Sequence, residues 1–142
     1  MQYAIDTRTA QPSSHRILGA GLWTLQGLLA ALFLFAGAMK FAMPIEAMTE
    51  QLPLPAWFLY FTGAVELLGA LGLVLPGITG IRVGLAPLAA AGLVIVMIGA
   101  TSLSLATPAP EMAVVPLLVG LLCATVAYGR SQVAPHQTRR AA

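Results

Sequence analysis

The sequence predicts an all-α integral membrane protein, an antiparallel bundle of four transmembrane helices. Three observations carry that expectation. Only 8% of the 142 residues are charged and 58% are hydrophobic, whereas soluble domains carry about 25% charged residues. Four apolar runs each approach the roughly 20 residues that a helix needs to cross the hydrocarbon layer. Finally, the basic residues fall almost entirely on one side of a four-span topology.

Taken in order, residues 1–16 read as a polar N-terminal tail, and no charge appears from Ile17 to Met39. Arg16 ahead of this run and Ala36-Gly37-Ala38 within it imitate a signal peptide. Signal cores are only about 7–15 residues long, so the reading is an uncleaved first span, about 17–42. Pro44 ends it, and 41–54 reads as a loop with one amphipathic turn. The second span, about 56–75, follows Pro55 and opens with the interfacial aromatics Trp57, Phe58, Tyr60 and Phe61. Pro76-Gly77 is expected to close it. Arg82 precedes the third span, about 83–106, where Pro87 falls in the first turn and its missing N–H costs little. A Pro-rich hinge at 107–111 leads to the fourth span, about 112–129, with Pro116 near its start. Residues 17–130 thus form the membrane domain and 131–142 a polar C-terminal tail. No internal repeat is visible.

Short connections make neighbouring helices antiparallel. The N-terminus, the 76–82 loop and the C-terminus then share one side, with Arg8, Arg16, Arg82, Arg130, Arg139 and Arg140. The other side has Lys40 beside Glu46, Glu50 and Glu111. The positive-inside rule makes both termini cytoplasmic and the location a cell inner (plasma) membrane.

The isoelectric point of about 9.1 comes from arginines at helix ends, without a dense basic run or interleaved aromatics, so nucleic acid is not an expected partner. Cys123 is the one cysteine, and His15 and His136 lie in the tails. A disulfide, a CxxC pair and a clustered Cys/His zinc site are therefore not expected, nor is an intrinsic cofactor. Chemistry is left to carboxylate, lysine, hydroxyl and amide groups, or to a bound ligand.

Glu66 stands out. It lies about 14 Å from either end of the second span, near the midplane, where ionisable groups face the bundle interior. Leu59, Thr62, Gly63, Gly69, Ala70 and Leu73 share its helical face, and the small residues among them let a neighbour approach closely. The first span offers Gln26, Ala30, Phe33, Gly37 and Lys40 along one face. Lys40 is placed about 9 Å above Glu66, so the two can share a water or ligand group, and a direct ion pair needs helix tilt. Thr101, Ser102 and Ser104, near the end of the third span, supply hydroxyls at the outer depth, and Thr125 and Cys123 lie toward the cytoplasmic half of the fourth. Simpler roles stay open beside these. Glu66 can be neutralised by desolvation and serve as structural glue, and Lys40 can be a snorkelling anchor. The hydroxyls can bond to their own helix carbonyls, and Cys123 can be a packing residue.

The stretches LFLFAGAMKF, GAVELLGALGLVLP, MIGA and VVPLLVGLLCATVAYGR, in this order, resemble the DoxX-like membrane proteins over about residues 24–130. The resemblance implies a bacterial four-helix integral membrane protein, with some relatives linked to thiosulfate:quinone oxidoreduction and others to membrane-associated oxidant defence. Its G-x-x-K corresponds to Gly37 and Lys40, its E-x-x-G-x-x-G-L to Glu66, Gly69, Gly72 and Leu73, and its Y-G-R to Tyr128, Gly129 and Arg130. Many members carry a histidine late in the third helix where this chain has Ser104, which puts a histidine-based proton transfer in doubt.

Three functions follow as expectations. The first is a quinone-associated redox subunit, with a polar intramembrane site at Glu66, Lys40, Gln26 and Ser104 and a quinone or other lipid-like ligand. Electrons would pass through that ligand or a redox protein partner. The second is a non-catalytic membrane scaffold or assembly partner, its helices packed through Gly37, Gly63, Gly69, Ala70 and Gly72. The third is a proton-coupled transporter, for which four helices would need a homo-oligomer.

Overall fold

Unbroken apolar sequence between proline and glycine punctuation produces four long helices, because a backbone in hydrocarbon must satisfy its own N–H and C=O groups. The computed structural model describes residues 13–51 and 54–133. Helix α1 runs Ser13–Ala42, α2 Ile45–Gln51, α3 Ala56–Thr79 and α4 Leu85–Leu105; a 3₁₀ turn at Pro110–Ala113 leads into α5, Val114–Tyr128, and a π turn, Gly129–Val133, ends the described chain. The segments Arg16–Ala42, Ala56–Thr79, Leu85–Leu105 and Pro110–Val133 are each long and apolar enough to cross a membrane. Their 27, 24, 21 and 24 residues reach from about 32 to 40 Å at 1.5 Å per residue. The fold is the expected all-α, four-span bundle.

Boundaries depart from the expectation in three places. Helix α1 begins at Ser13, inside the stretch read as tail. The 41–54 loop contains a two-turn helix, α2, whose Glu46 and Glu50 are exposed while Ile45, Ala47 and Met48 are half-buried. Pro76 does not close α3: the helix continues to Thr79 and stops where Gly80 takes a left-handed φ of 68° and its N–H bonds to the Pro76 carbonyl. Proline deletes its own N–H but leaves its carbonyl free to accept. Arg8, Pro53, His136, Arg139 and Arg140 lie outside the described residues.

Sequential helices pack on one another, α1 on α3, α3 on α4 and α4 on α5, and α1 meets α5 more sparingly. Their shared core draws on all four: Leu29, Ala30 and Phe33 from α1, Ala70 and Leu73 from α3, Ala90, Leu93 and Met97 from α4, and Cys123 and Val126 from α5. Outward, Phe35, Leu68, Ile95 and Leu121 are among many large apolar side chains left exposed. That exterior suits acyl chains, and it explains why burial cannot hold the helices together: lipid is as apolar as the core.

Close backbone approach does much of the holding. A Cβ on Gly37 would come within 2.9 Å of the Gly63 carbonyl oxygen, and one on Gly63 within 3.1 Å of Lys40 Cβ and of the Phe41 ring. On the other side of α3, a Cβ on Gly69 would meet the Leu93 side chain at 2.6 Å and one on Gly72 the Ala89 Cβ at 2.7 Å. Gly99, in contrast, faces open space. Gly37→Ala is expected to destabilise the detergent-solubilised protein by about 1–3 kcal/mol, the usual cost of overpacking. Gly99→Ala should leave stability unchanged or raise it. Thermal unfolding of the two variants side by side checks this.

Candidate functional site

Glu66 occupies the buried stripe of α3 together with Leu59, Gly63, Ala70, Leu73 and Pro76. This stripe faces α1 and α4, so the carboxylate points into the bundle. Lys40 comes from the last turn of α1, where the helix dipole favours a cation. Its Nζ donates to Glu66 Oε2 at 2.7 Å, a direct ion pair. The Glu66 side chain is 6% exposed and that of Lys40 26%. The negative partner is therefore sealed while the positive one stays partly open.

Geometry explains how the expected axial gap of about 9 Å closes. Gly63 has no side chain, so α1 settles against α3 with the Lys40 stem lying across Gly63. The long lysine side chain then runs along α3 toward Glu66, one turn further on. Beside it, the Phe41 and Tyr60 rings stack with centroids 5.6 Å apart and an interplanar angle of 26°. The Phe41 ring and the Lys40 stem thus lie against the same glycine, Gly63.

The four residues expected to form one polar site do not all meet. Gln26 is buried but sits about 21 Å from Lys40 along α1. There it donates its amide N–H to the Leu73 carbonyl and accepts a hydrogen bond from Arg130 Nε. Ser104 is half-buried on α4, and its carbonyl accepts from the Thr107 hydroxyl at 2.7 Å. The neighbouring hydroxyls turn back on their own helix: Thr101 donates to the Met97 carbonyl at 2.7 Å and Ser102 to that of Ile98 at 2.9 Å. Thr125 does the same with Leu121 at 2.9 Å, and Cys123 is a fully buried core residue.

The second polar centre was not apparent from the sequence. Arg130, read there as an end-of-helix charge, is only 5% exposed. The π turn swings it inward, where its guanidinium also lies over the Trp23 ring, 5.5 Å from the centroid. Gly129 permits this, since a Cβ there would strike the Leu22 side chain at 2.7 Å. This cluster ties the start of α1 to the ends of α3 and α5. Among the described residues, no three His, Cys, Asp or Glu side chains gather in a way that could hold a metal ion.

A family model described as the DoxX-like family matches residues 24–126. No curated protein and no solved structure matches the chain. The matched region contains α3, α4, most of α1 and α5, and both members of the Lys40–Glu66 pair, and the chain belongs to the DoxX-like family.

Removing one partner of a buried ion pair leaves the other uncompensated, at about 3–5 kcal/mol. Because Lys40 is partly open, Lys40→Met should cost about 3 kcal/mol, near the bottom of that range. Lys40→Met combined with Glu66→Leu should recover most of the loss. Unfolding of the single and double variants in detergent tests the coupling, and strict additivity would show that the two groups act separately.

Proposed function

We propose that this member of the DoxX-like family is a membrane-embedded binding subunit that takes the polar head of a lipid-soluble quinone at Lys40 and Glu66. One observation carries the reading: an ammonium within the membrane-spanning bundle that is held by a sealed carboxylate yet keeps a quarter of its side chain exposed. An ammonium has three N–H groups and Glu66 takes one, so two are left to donate to a quinone carbonyl oxygen. The Phe41 ring, packed on the same glycine as the Lys40 stem and stacked on Tyr60, suits a flat aromatic head group. When bound, the quinone supplies the redox chemistry; the protein orients its head and holds the neutralising charges, and a redox protein partner supplies the electrons.

Mass spectrometry of protein purified in mild detergent tests this. Quinone is expected with the wild-type chain and at least about tenfold less with Lys40→Met, since a lost hydrogen bond to a charged group is worth about 1.5–3 kcal/mol. Equal or absent quinone in both would overturn the reading. A second reading, a non-catalytic scaffold, is favoured by the position of the pair beside the Gly37–Gly63 contact, where both features fix the register of α1 on α3. In that case partner recovery should survive Glu66→Gln and no quinone should be retained.

The reading also places both termini in the cytoplasm of a bacterial cell, with the Lys40–Glu66 end facing outward. Among the described residues Arg16, Arg82 and Arg130 belong to the end of the bundle that bears Ser13 and Val133, and Glu46, Glu50 and Glu111 to the opposite end, the asymmetry of the positive-inside rule. A green fluorescent protein fused to the C-terminus should fluoresce in an inner-membrane host, and a dark but inserted fusion would reverse the topology.

A further inference from the structure

Helices α4 and α5 pack on each other. Near the middle of the pair, a Cβ on Gly120 would touch the Met97 Cβ at 3.0 Å, and toward the end opposite Ser13 and Val133 the 3₁₀ turn ahead of α5 packs on α4. Toward the end bearing Ser13 and Val133, α5 is drawn onto α1 instead. Gly129 lies against Leu22, and Arg130 Nε donates to Gln26. The π turn consequently has little contact with α4. A groove of about 690 Å³ opens between the two helices, walled by Pro87, Leu88 and Ala91 on one side and Ala124, Tyr128 and Ser131 on the other.

The groove faces the hydrocarbon, and small side chains keep it open. Ala91 and Ala124 are both exposed within it, and Tyr128 and Ser131 line its end near the membrane surface. Charge selects the occupant. Arg82, exposed, precedes α4 by three residues at the same end of the groove, and Arg16 is exposed at the start of α1. The exposed carboxylates Glu46, Glu50 and Glu111 belong to the other end. Basic residues at a membrane surface attract anionic lipid by about 1 kcal/mol each.

We propose that the α4–α5 groove is a binding site for an anionic phospholipid: an acyl chain lies in the groove and the phosphate head sits beyond its Tyr128–Ser131 end, where Arg82 precedes α4. The site is separate from Lys40 and Glu66 and stands or falls independently of the quinone reading.

The full-length protein, reconstituted in nanodiscs with phosphatidylethanolamine in excess over phosphatidylglycerol, is extracted into mild detergent, and its retained lipids are quantified by native mass spectrometry. Phosphatidylglycerol should be enriched over its share in the nanodisc. Arg82→Gln should reduce that enrichment about fivefold, the factor corresponding to one basic residue at the surface. Ala91→Phe and Ala124→Phe fill the groove from opposite walls at lipid-facing positions, and each should remove the retained lipid. Circular dichroism and thermal unfolding identify a variant that has lost its fold, and the other variant then decides. Retained lipid in the nanodisc ratio, enrichment untouched by the fillings, or disulfide cross-linking of Ala91→Cys to a second chain across the groove would each overturn the proposal.

Discussion

Inside a bilayer, two helices gain nothing from hiding apolar surface from each other, because lipid already hides it. Association must come from close contact and from polar groups that have nowhere else to go. The α1–α3 seam supplies both within two helical turns. Gly37 and Gly63 let the backbones touch, and Lys40 reaches Glu66 across the same contact. Each feature depends on the other. A larger residue at 63 would displace the lysine stem, and without the ion pair the buried carboxylate would oppose the approach that the glycines permit.

Register propagates from this seam. With 37 opposite 63, antiparallel geometry sets 26 near 74, and Gln26 does hydrogen-bond to the neighbouring Leu73 carbonyl. That bond lies three residues before Pro76, in the stretch of α3 that runs on to Thr79. Because Gln26 also accepts from Arg130, the α1–α3 register reaches α5 through a single side chain. The bundle is therefore polar at two levels, an ion pair toward one end and an amide–guanidinium pair toward the other, with an apolar core from Leu29 to Val126 between them.

The sequence made the spans, their antiparallel order and the inward direction of Glu66 legible, since all three follow from hydropathy, loop length and helical periodicity. It placed Gln26 in the wrong company for a definable reason. Periodicity says which residues share a face and nothing about depth, and Gln26 and Lys40 share a face of α1 while lying four turns apart. Antiparallel pairing would have resolved the point, because residue numbers across such a seam sum to a near-constant value and Gln26 then falls opposite the mid-seventies. Arg130 was less accessible still. Its burial follows from a π turn and from Gly129 yielding to Leu22, and neither is signalled by an arginine at the end of an apolar run. The α2 helix was legible only as one amphipathic turn in a loop, because its seven residues are too few for periodicity to fix their extent.

The two polar levels differ in what they can exchange with their surroundings. Gln26 and Arg130 are both almost wholly covered, so their hydrogen bond fixes geometry and has little room to receive a visitor. Lys40 differs: its carboxylate partner holds it in place, while its open side remains at membrane depth. Anchoring a donor costs rotamer entropy that a visiting ligand then need not supply. A cation held by one sealed partner and open on one side combines preorganisation with access. For this reason the Lys40–Glu66 pair, which shares its seam with the glycine contact, also has the geometry of a binding site.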